Sequence, residues 1–437
     1  MKKTILLLLA FIPSLAAAQE ARPLTMHEAV ALALKHSKSL HISGMRVEAA
    51  EAKSGEASAA DMPSVKLQAG YTRLSDVDPF QIQPPGSPAP ITVSPVISNA
   101  YSLKLAVIHP LYTGQRLEKT ARSAEFSAQA AGHDHSRDEA DLVFTVKGAY
   151  WTLYKAMKVK DVLDENVQQV EAHLGDVTNM VNAGIMLRDE QLKVQVQLSN
   201  ARFARSDAAN NVRLSMMTLN NAIGLPLESM VNPVSELQPE DRPLKPLDAY
   251  TSSAMENRED VKAAQSRLDA ADASAEAAKG GYYPQVALFG DYYYQRPNQR
   301  VLPNRDQFDG TWDVGISLSY DLWDWGTVKY QAKQAEAVRS QSGIALDLLR
   351  DSVLLEVNQS FLSLSQAKER IAIAQQGVAQ ADESHRITKN RFASGQATNT
   401  EVLDAELALL QAKLNLTVAV ADCEVASARM DRAAGAK

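Results

Sequence analysis

The stretch NAGIMLRDEQLKVQVQLSNAR, Asn182 to Arg202, has a second version in ASGQATNTEVLDAELALLQAK, Ala393 to Lys413. A shift of 211 residues superposes Gly184 on Gly395, Leu192 on Leu403, Leu198 on Leu409, Ala201 on Ala412 and Arg202 on Lys413. The same shift carries Val146, Tyr150 and Leu153 onto Val357, Phe361 and Leu364. Nearer the N-terminus the offset is 221: Leu40 falls on Val261, Arg46 on Arg267, and Pro63 with Val65 on Pro284 with Val286. A repeat of this kind makes the chain two versions of one plan. The ten-residue change of offset falls between Val65 and Val146, and the Pro-rich stretch Ser75 to Asn99, facing the shorter Arg296 to Thr311, is the place for it. Each half reads helix, strand, loop, strand, helix, turn, helix. The expected division is a signal segment over 1–18, a first repeat over 19–225, an equatorial linker over 226–246 and a second repeat over 247–437.

The strands are read from alternation. In SVKLQAGYTRL, Val65, Leu67, Ala69 and Tyr71 share one face, with Lys66, Gln68, Gly70 and Thr72 on the other. Trp312, Val314, Ile316, Leu318, Tyr320 and Leu322 oppose Asp313, Gly315, Ser317, Ser319 and Asp321, and Tyr101, Leu103, Leu105 and Val107 repeat the pattern. Val286, Leu288, Tyr292 and Tyr294 do so less cleanly, because Phe289 sits on the polar face. Strands are expected at about 64–74, 100–110, 285–295 and 312–322. A tilted strand of about eleven residues spans the hydrocarbon layer of an outer membrane. Twelve of the 17 Tyr and Trp residues lie in or beside these segments, and Tyr71, Tyr101, Tyr112, Tyr282, Tyr283, Trp312, Tyr320, Trp323 and Trp325 fit aromatic girdles at two membrane interfaces. A water-soluble hairpin domain with tyrosines in its core would give the same alternation.

Gln115 to Val181 contains no proline and carries spaced apolar residues, as does Thr327 to Phe392. Each is about 66 residues, roughly 100 Å of helix. Shorter helices over Asp189 to Ile223, Leu247 to Gly281, Thr398 to Arg432 and Thr25 to Ala60 supply the return path, two stacked end to end beside each long one. Small residues on their faces favour coiled-coil packing.

Composition narrows the function. Forty-five basic against 52 acidic residues give a formal charge of −7, with no Lys/Arg block, so a nucleic-acid partner has no support. The single cysteine, Cys423, rules out an internal disulfide or a Cys-rich metal cluster. MKKTILLLLAFIPSLAAAQE reads as a secretory signal cut after Ala18, since its apolar run is shorter than the roughly 20 residues a spanning helix needs. No cysteine follows the cut, so no N-terminal lipid anchor is expected. The only close histidine pair, His133 and His135, is spaced i, i+2 on a helix and does not share a face, so neither metal nor cofactor is expected.

Taken together, LTMHEAVALALKHSKSL (Leu24 to Leu40), MPSV and YPQV at the strand starts, HPLYTG and YDLWDWG at the strand ends, and FASGQATNTEVLDAE at the second turn resemble the TolC-type outer-membrane efflux proteins, or outer membrane factors. Four strands cannot close a barrel in lipid, because open edges leave backbone groups unsatisfied. The resemblance implies an α+β membrane protein. It would be a homotrimer with one twelve-stranded transmembrane β-barrel, four strands from each chain, continued by a periplasmic α-helical coiled-coil barrel. The implied partners are outer-membrane lipid, a periplasmic adaptor and an inner-membrane transporter of RND or ABC type.

The resemblance also points to site residues. Glu401 and Asp404 match acidic positions that ring the periplasmic entrance, where carboxylates from three chains would attract cations and raise one another's pKa. Equally, they suit a helix N-terminus. Gly184, Ile185, Met186, Gly395, Gln396 and Ala397 match turns that contact the adaptor, although both glycines also serve a sharp reversal of the chain. The family's gate arginine matches Ala397 and its tyrosine Phe392; Asp189 and Glu190 match the acceptors, so Arg188 or Arg391 would have to donate instead. The expected function is a passive, non-enzymatic exit duct for an efflux or type I secretion system. A structural or adhesive coiled-coil protein of the envelope and a stand-alone porin are the alternatives.

Overall fold

The computed structural model describes residues 22–235 and 243–436, so the signal reading over 1–18 and part of the 226–246 linker lie outside the described residues. In chain order come β1 (Arg22–Leu24), α1 (Met26–His36), α2 (Lys38–Ala59), β2 (Ser64–Arg73), β3 (Phe80–Ile82), β4 (Ile91–Ser94) and β5 (Asn99–Tyr112). Then follow α3 (Arg116–Asn182), α4 (Arg188–Ile223), β6 (Val231–Pro233), α5 (Leu247–Asn257) and α6 (Glu259–Lys279). The last are β7 (Gln285–Arg296), β8 (Asp309–Ser319), α7 (Thr327–Ala393) and α8 (Asn399–Ala433). Counterparts in the two halves keep the offsets of the sequence: α1 and α5, and β2 and β7, start 221 residues apart, whereas α3 and α7, and α4 and α8, start 211 apart. The chain forms two compact units, each drawing on both halves: one is Ser43–His135 with Glu259–Arg350, the other the remainder.

The strand unit holds an antiparallel sheet in the order β2-β5-β7-β8. Leu67, Leu105, Tyr292 and Trp312 form one row across it, and Val65, Val107, Gly290 and Val314 another on the same face. The opposite face carries Lys66, Ala106, Asp291 and Asp313, then Gln68, Lys104, Tyr293 and Thr311, with Lys104 Nζ 2.8 Å from Asp291 Oδ2. Among the described residues nothing pairs with the outer edge of β2 or of β8.

Strand ends differ from the alternation. β8 begins at Asp309 and stops at Ser319, because its partner β7 begins with Gln285, opposite Ser319. Tyr320, Trp323 and Trp325 therefore lie beyond the ladder, in the connection to α7, where the two indoles pack edge to face at 5.6 Å. β5 runs on to Tyr112 through a register shift after Pro110, whose missing N–H interrupts the ladder. The β2–β5 connection, read as a loop, contains the β3–β4 hairpin with Ile82 opposite Ile91. Strands of three and four residues are too short to show a period.

Where β5 turns into α3, Gly114 has φ +63° and its chain passes so close to Gly280 that a Cβ would stand 2.5 Å from the Gly280 carbonyl oxygen. At the other junction Asp324 accepts from the N–H groups of Gly326 and Val328, both at 2.8 Å, which starts α7 and holds the carboxyl below its usual range.

In the other unit, Leu24, Ala29, Ala33, Val146, Tyr150, Leu153, Leu219 and Ile223 form one buried cluster. The Tyr150 hydroxyl donates to Leu24 O at 2.8 Å and accepts from Ser235 N at 3.0 Å. This ties α3 to the short parallel β1–β6 ladder, which the sequence reading lacked. Two helices expected to be continuous, Thr25 to Ala60 and Leu247 to Gly281, are each broken, at Ser37 and Arg258, where the backbone turns extended. Ser37 Oγ caps α2 by accepting from Leu40 N at 3.2 Å, and the Arg258 guanidinium reaches Glu356 at 2.7 Å and Ala433 O at 3.3 Å.

Candidate entrance and channel wall

The turns that end α3 and α7 are built alike. Gly184 and Gly395 have φ +73° and +72°, with nothing within 4 Å of a Cβ at either, so the glycines answer a backbone need rather than a tight contact. Ile185 N donates to Met180 O at 2.9 Å and Gln396 N to Arg391 O at 2.7 Å, satisfying carbonyls at the helix ends. Ile185 is 76% exposed and Leu187 73%. Met186 and Ala397 instead pack against a buried cluster of Val167, Val170, Val177, Val194, Leu198, Phe392 and Val402.

Glu401 and Asp404 are both exposed on the first turns of α8. Glu401 closes a capping box: its Oε2 accepts from Thr398 N at 2.6 Å, and its N–H donates to Thr398 Oγ1 at 3.3 Å. The Thr398 N–H, then its hydroxyl, hold the Glu401 carboxyl below the ordinary value, so the cap opposes any raising by neighbouring carboxylates.

Within one chain the expected gate residues have other partners. Arg391 donates to Gln396 O at 2.9 Å and lies 3.8 Å from Glu401, so it braces its own turn. Arg188 is exposed, and Glu190 finds other partners: Lys193 Nζ at 2.6 Å and the Asn399 amide at 2.9 Å. Those two bonds, Lys193 first, hold its carboxyl below the usual range. Asp189 sits 3.9 Å from Lys193. The Asn399 oxygen in turn meets His173 Nε2 at 2.7 Å, and the Phe392 ring stands edge-on to His173 at 5.5 Å. A polar chain Lys193–Glu190–Asn399–His173 thus links α4, α8 and α3. Sequence reasoning missed Asn399 and His173. The available signal was that His173 stands on the helical face of Val170 and Val177, where a polar side chain needs a partner.

On the sheet, Tyr71 and Tyr101 lie at the end where the strands are joined by loops and pack at 5.1 Å, whereas Trp312, in register with Leu67, Leu105 and Tyr292, stands in the middle of the sheet and not with the tyrosines it was expected to join. Tyr112, Tyr282, Tyr283, Tyr320, Trp323 and Trp325 lie at the end where the strands meet helices. One face is mostly apolar, while the other carries Lys66, Gln68, Lys104, Asp291, Thr311 and Asp313 interrupted by Ala106, Ile108 and Phe289.

Comparison with known proteins agrees with this architecture. The chain is 22% identical over 326 residues to the outer membrane efflux protein BepC of Brucella suis biovar 1 (strain 1330), covering 74% of this chain and 70% of BepC. It is 22% identical over 330 residues to the outer membrane protein TolC of Escherichia coli (strain K12), covering 73% and 66%. Among solved structures it superposes on the outer membrane protein VceC of Vibrio cholerae with a TM-score of 0.79 at 19% identity, over 94% of this chain and 96% of that one, a likeness of fold. Residues 29–225 and 250–436 match the model of the outer membrane efflux protein family, and the chain belongs to that family.

Proposed function

We propose that the protein is the outer-membrane exit duct of a tripartite efflux or type I secretion system, assembled from three copies of this chain. The observation that carries the reading is a four-stranded sheet with one mostly apolar, exposed face and two edges that nothing pairs among the described residues. In lipid each unpaired N–H or C=O costs several kcal/mol, so the edges of β2 and β8 must pair with other copies. Exposed apolar stripes along the helices support the same assembly. Leu192, Val196, Phe203 and Leu214 lie on one side of α4, and Leu348, Leu355 and Leu362 recur every seven residues on α7.

In this reading the two repeats, 19–225 and 247–437, joined by 226–246, each give two strands to a twelve-stranded barrel, with polar residues toward a water-filled lumen. The two aromatic bands sit at the membrane interfaces. The helices continue the duct into the periplasm, Glu401 and Asp404 ring its entrance, and the turns around Gly184 and Gly395 meet a periplasmic adaptor fed by an RND or ABC transporter. Conduction is passive; the pump supplies the energy, and no residue does covalent chemistry. Purified protein in planar lipid bilayers tests the reading: a stable, water-filled conductance is expected, and its absence would favour a structural envelope protein.

A further inference from the structure

Behind the second turn, α8 buries a carboxylic acid in a position that packing would give to an apolar residue. Val402, Glu406 and Leu409 follow one another on the buried face, and Glu406 is 5% exposed. Facing it from α7 is His385, whose side chain is 13% exposed and whose Nε2 lies 3.9 Å from Glu406 Oε1. Neither His385 Nε2 nor Glu406 Oε2 has a hydrogen-bond partner among the described residues, although the two side chains face each other across 3.9 Å. Shifted back by 211 residues, the same positions hold Leu174 and Gln195, where Leu174 simply packs on the apolar cluster. The first half folds without an acid and an imidazole here. The pair therefore stands only in the half that carries Glu401 and Asp404.

We infer that Glu406 and His385 form a two-group titratable latch that sets how readily α7 and α8 part behind the entrance. The inference rests on the entrance reading above. Burial pushes the Glu406 carboxyl up to about 7 and pushes the His385 imidazole down, each toward its neutral form. With both side chains neutral, the helices pack without an isolated charge. Other charged groups act from the surroundings. Lys389 on α7 favours the charged Glu406 and the neutral His385, Lys413 on α8 also favours neutral His385, and Asp382 on α7 opposes. From α3, His173 disfavours the imidazolium, while Glu190 and Lys193 on α4 are already engaged with Asn399 and with each other.

The two groups pull in opposite directions. The raised Glu406 pKa favours packing fully below the exposed carboxyl value of 4.5, and that advantage is lost as pH rises to about 7. The lowered His385 pKa favours packing above 6.5, and that advantage is lost as pH falls through its packed value. Over the interval where both act, the parted helices take up at His385 the proton they release at Glu406, so the wild type changes little.

The test compares wild type, Glu406→Gln and His385→Gln as assembled channels from pH 5 to 8. Channel opening is read in planar bilayers. Backbone-amide protection of 385–393 and 402–409 is read by hydrogen-exchange mass spectrometry on the same preparations. Removing the histidine should leave the acid uncompensated, so opening rises and protection falls as pH increases, by up to tenfold per pH unit up to about 7. Removing the acid should reverse the sign, with opening rising on acidification below 6.5. His173 is present in all three proteins, so its titration cancels in the comparison. Identical pH profiles for the three proteins would overturn the latch. A preparation that conducts no ions but shows opposed protection profiles would overturn the channel reading and keep the latch. Should one variant fail to assemble, the sign of the other against wild type still decides.

Discussion

Asn399 at the start of α8 donates its side-chain amide to Glu190 of α4, Nδ2 to Oε2 at 2.9 Å, and so bridges the helices that follow the two turns. Its oxygen is engaged by the buried His173. Replacing Asn399 by alanine removes both bonds and leaves a buried imidazole nitrogen unpartnered, a cost of about 1–3 kcal/mol. The expected result is a channel that opens more often in single-channel recordings while still assembling. Unchanged opening would show that Asn399 only fastens the fold.

The carboxylates of Glu401 and Asp404 should set ion preference. Alanine at both positions is expected to weaken cation selectivity and block by multivalent cations, read from reversal potentials. Glu401 also carries a pH signature: its carboxyl is held low by Thr398, so the cap is intact above the ordinary carboxylate range and is lost as pH falls through the depressed value. Amide protection at Glu401 and Val402 should therefore drop in acid, and should drop at all pH values in Thr398→Ala.

Valine in place of Gly184 or Gly395 must adopt a positive φ that costs about 1–2 kcal/mol for an L side chain, although no neighbour would clash with it. Export should suffer more than assembly in complementation and native-gel assays. Loss of the assembled form instead would make the turns purely structural.

Removing only the hydroxyl in Tyr150→Phe deletes the bonds to Leu24 O and Ser235 N. A loss of about 1–3 kcal/mol is expected in chemical denaturation. Amide exchange at 22–24 should rise with it.

The long helices and the duplicated turns were legible because each rests on a pattern longer than the noise: no proline over 66 residues, and Gly184 and Gly395 in matching contexts. Family membership followed from the order of those patterns. Strand ends were less legible, since alternation in Tyr320 and Leu322 continues past Ser319, where the partner strand has already run out. The helix breaks at Ser37 and Arg258 were hidden because neither residue is Gly or Pro; tertiary bonds to Glu356 and Ala433 hold the second. The bridge through Asn399 joins residues 209 and 226 positions apart, a distance that no local period reports. Within one chain Lys193, one helical turn on, pairs with both expected acceptors, Glu190 at 2.6 Å and Asp189 at 3.9 Å, which no gate pattern in the sequence indicated.

Among the described residues the outer edges of β2 and β8 lack partners, and the proposed assembly supplies them from other copies of the chain. Native mass spectrometry of the detergent-extracted, conducting protein tests it most directly. Three chains per particle, with the amides of both edge strands protected from exchange, is the predicted result. A conducting particle of one chain, or a water-soluble single chain with its apolar strand face buried in itself, would contradict it.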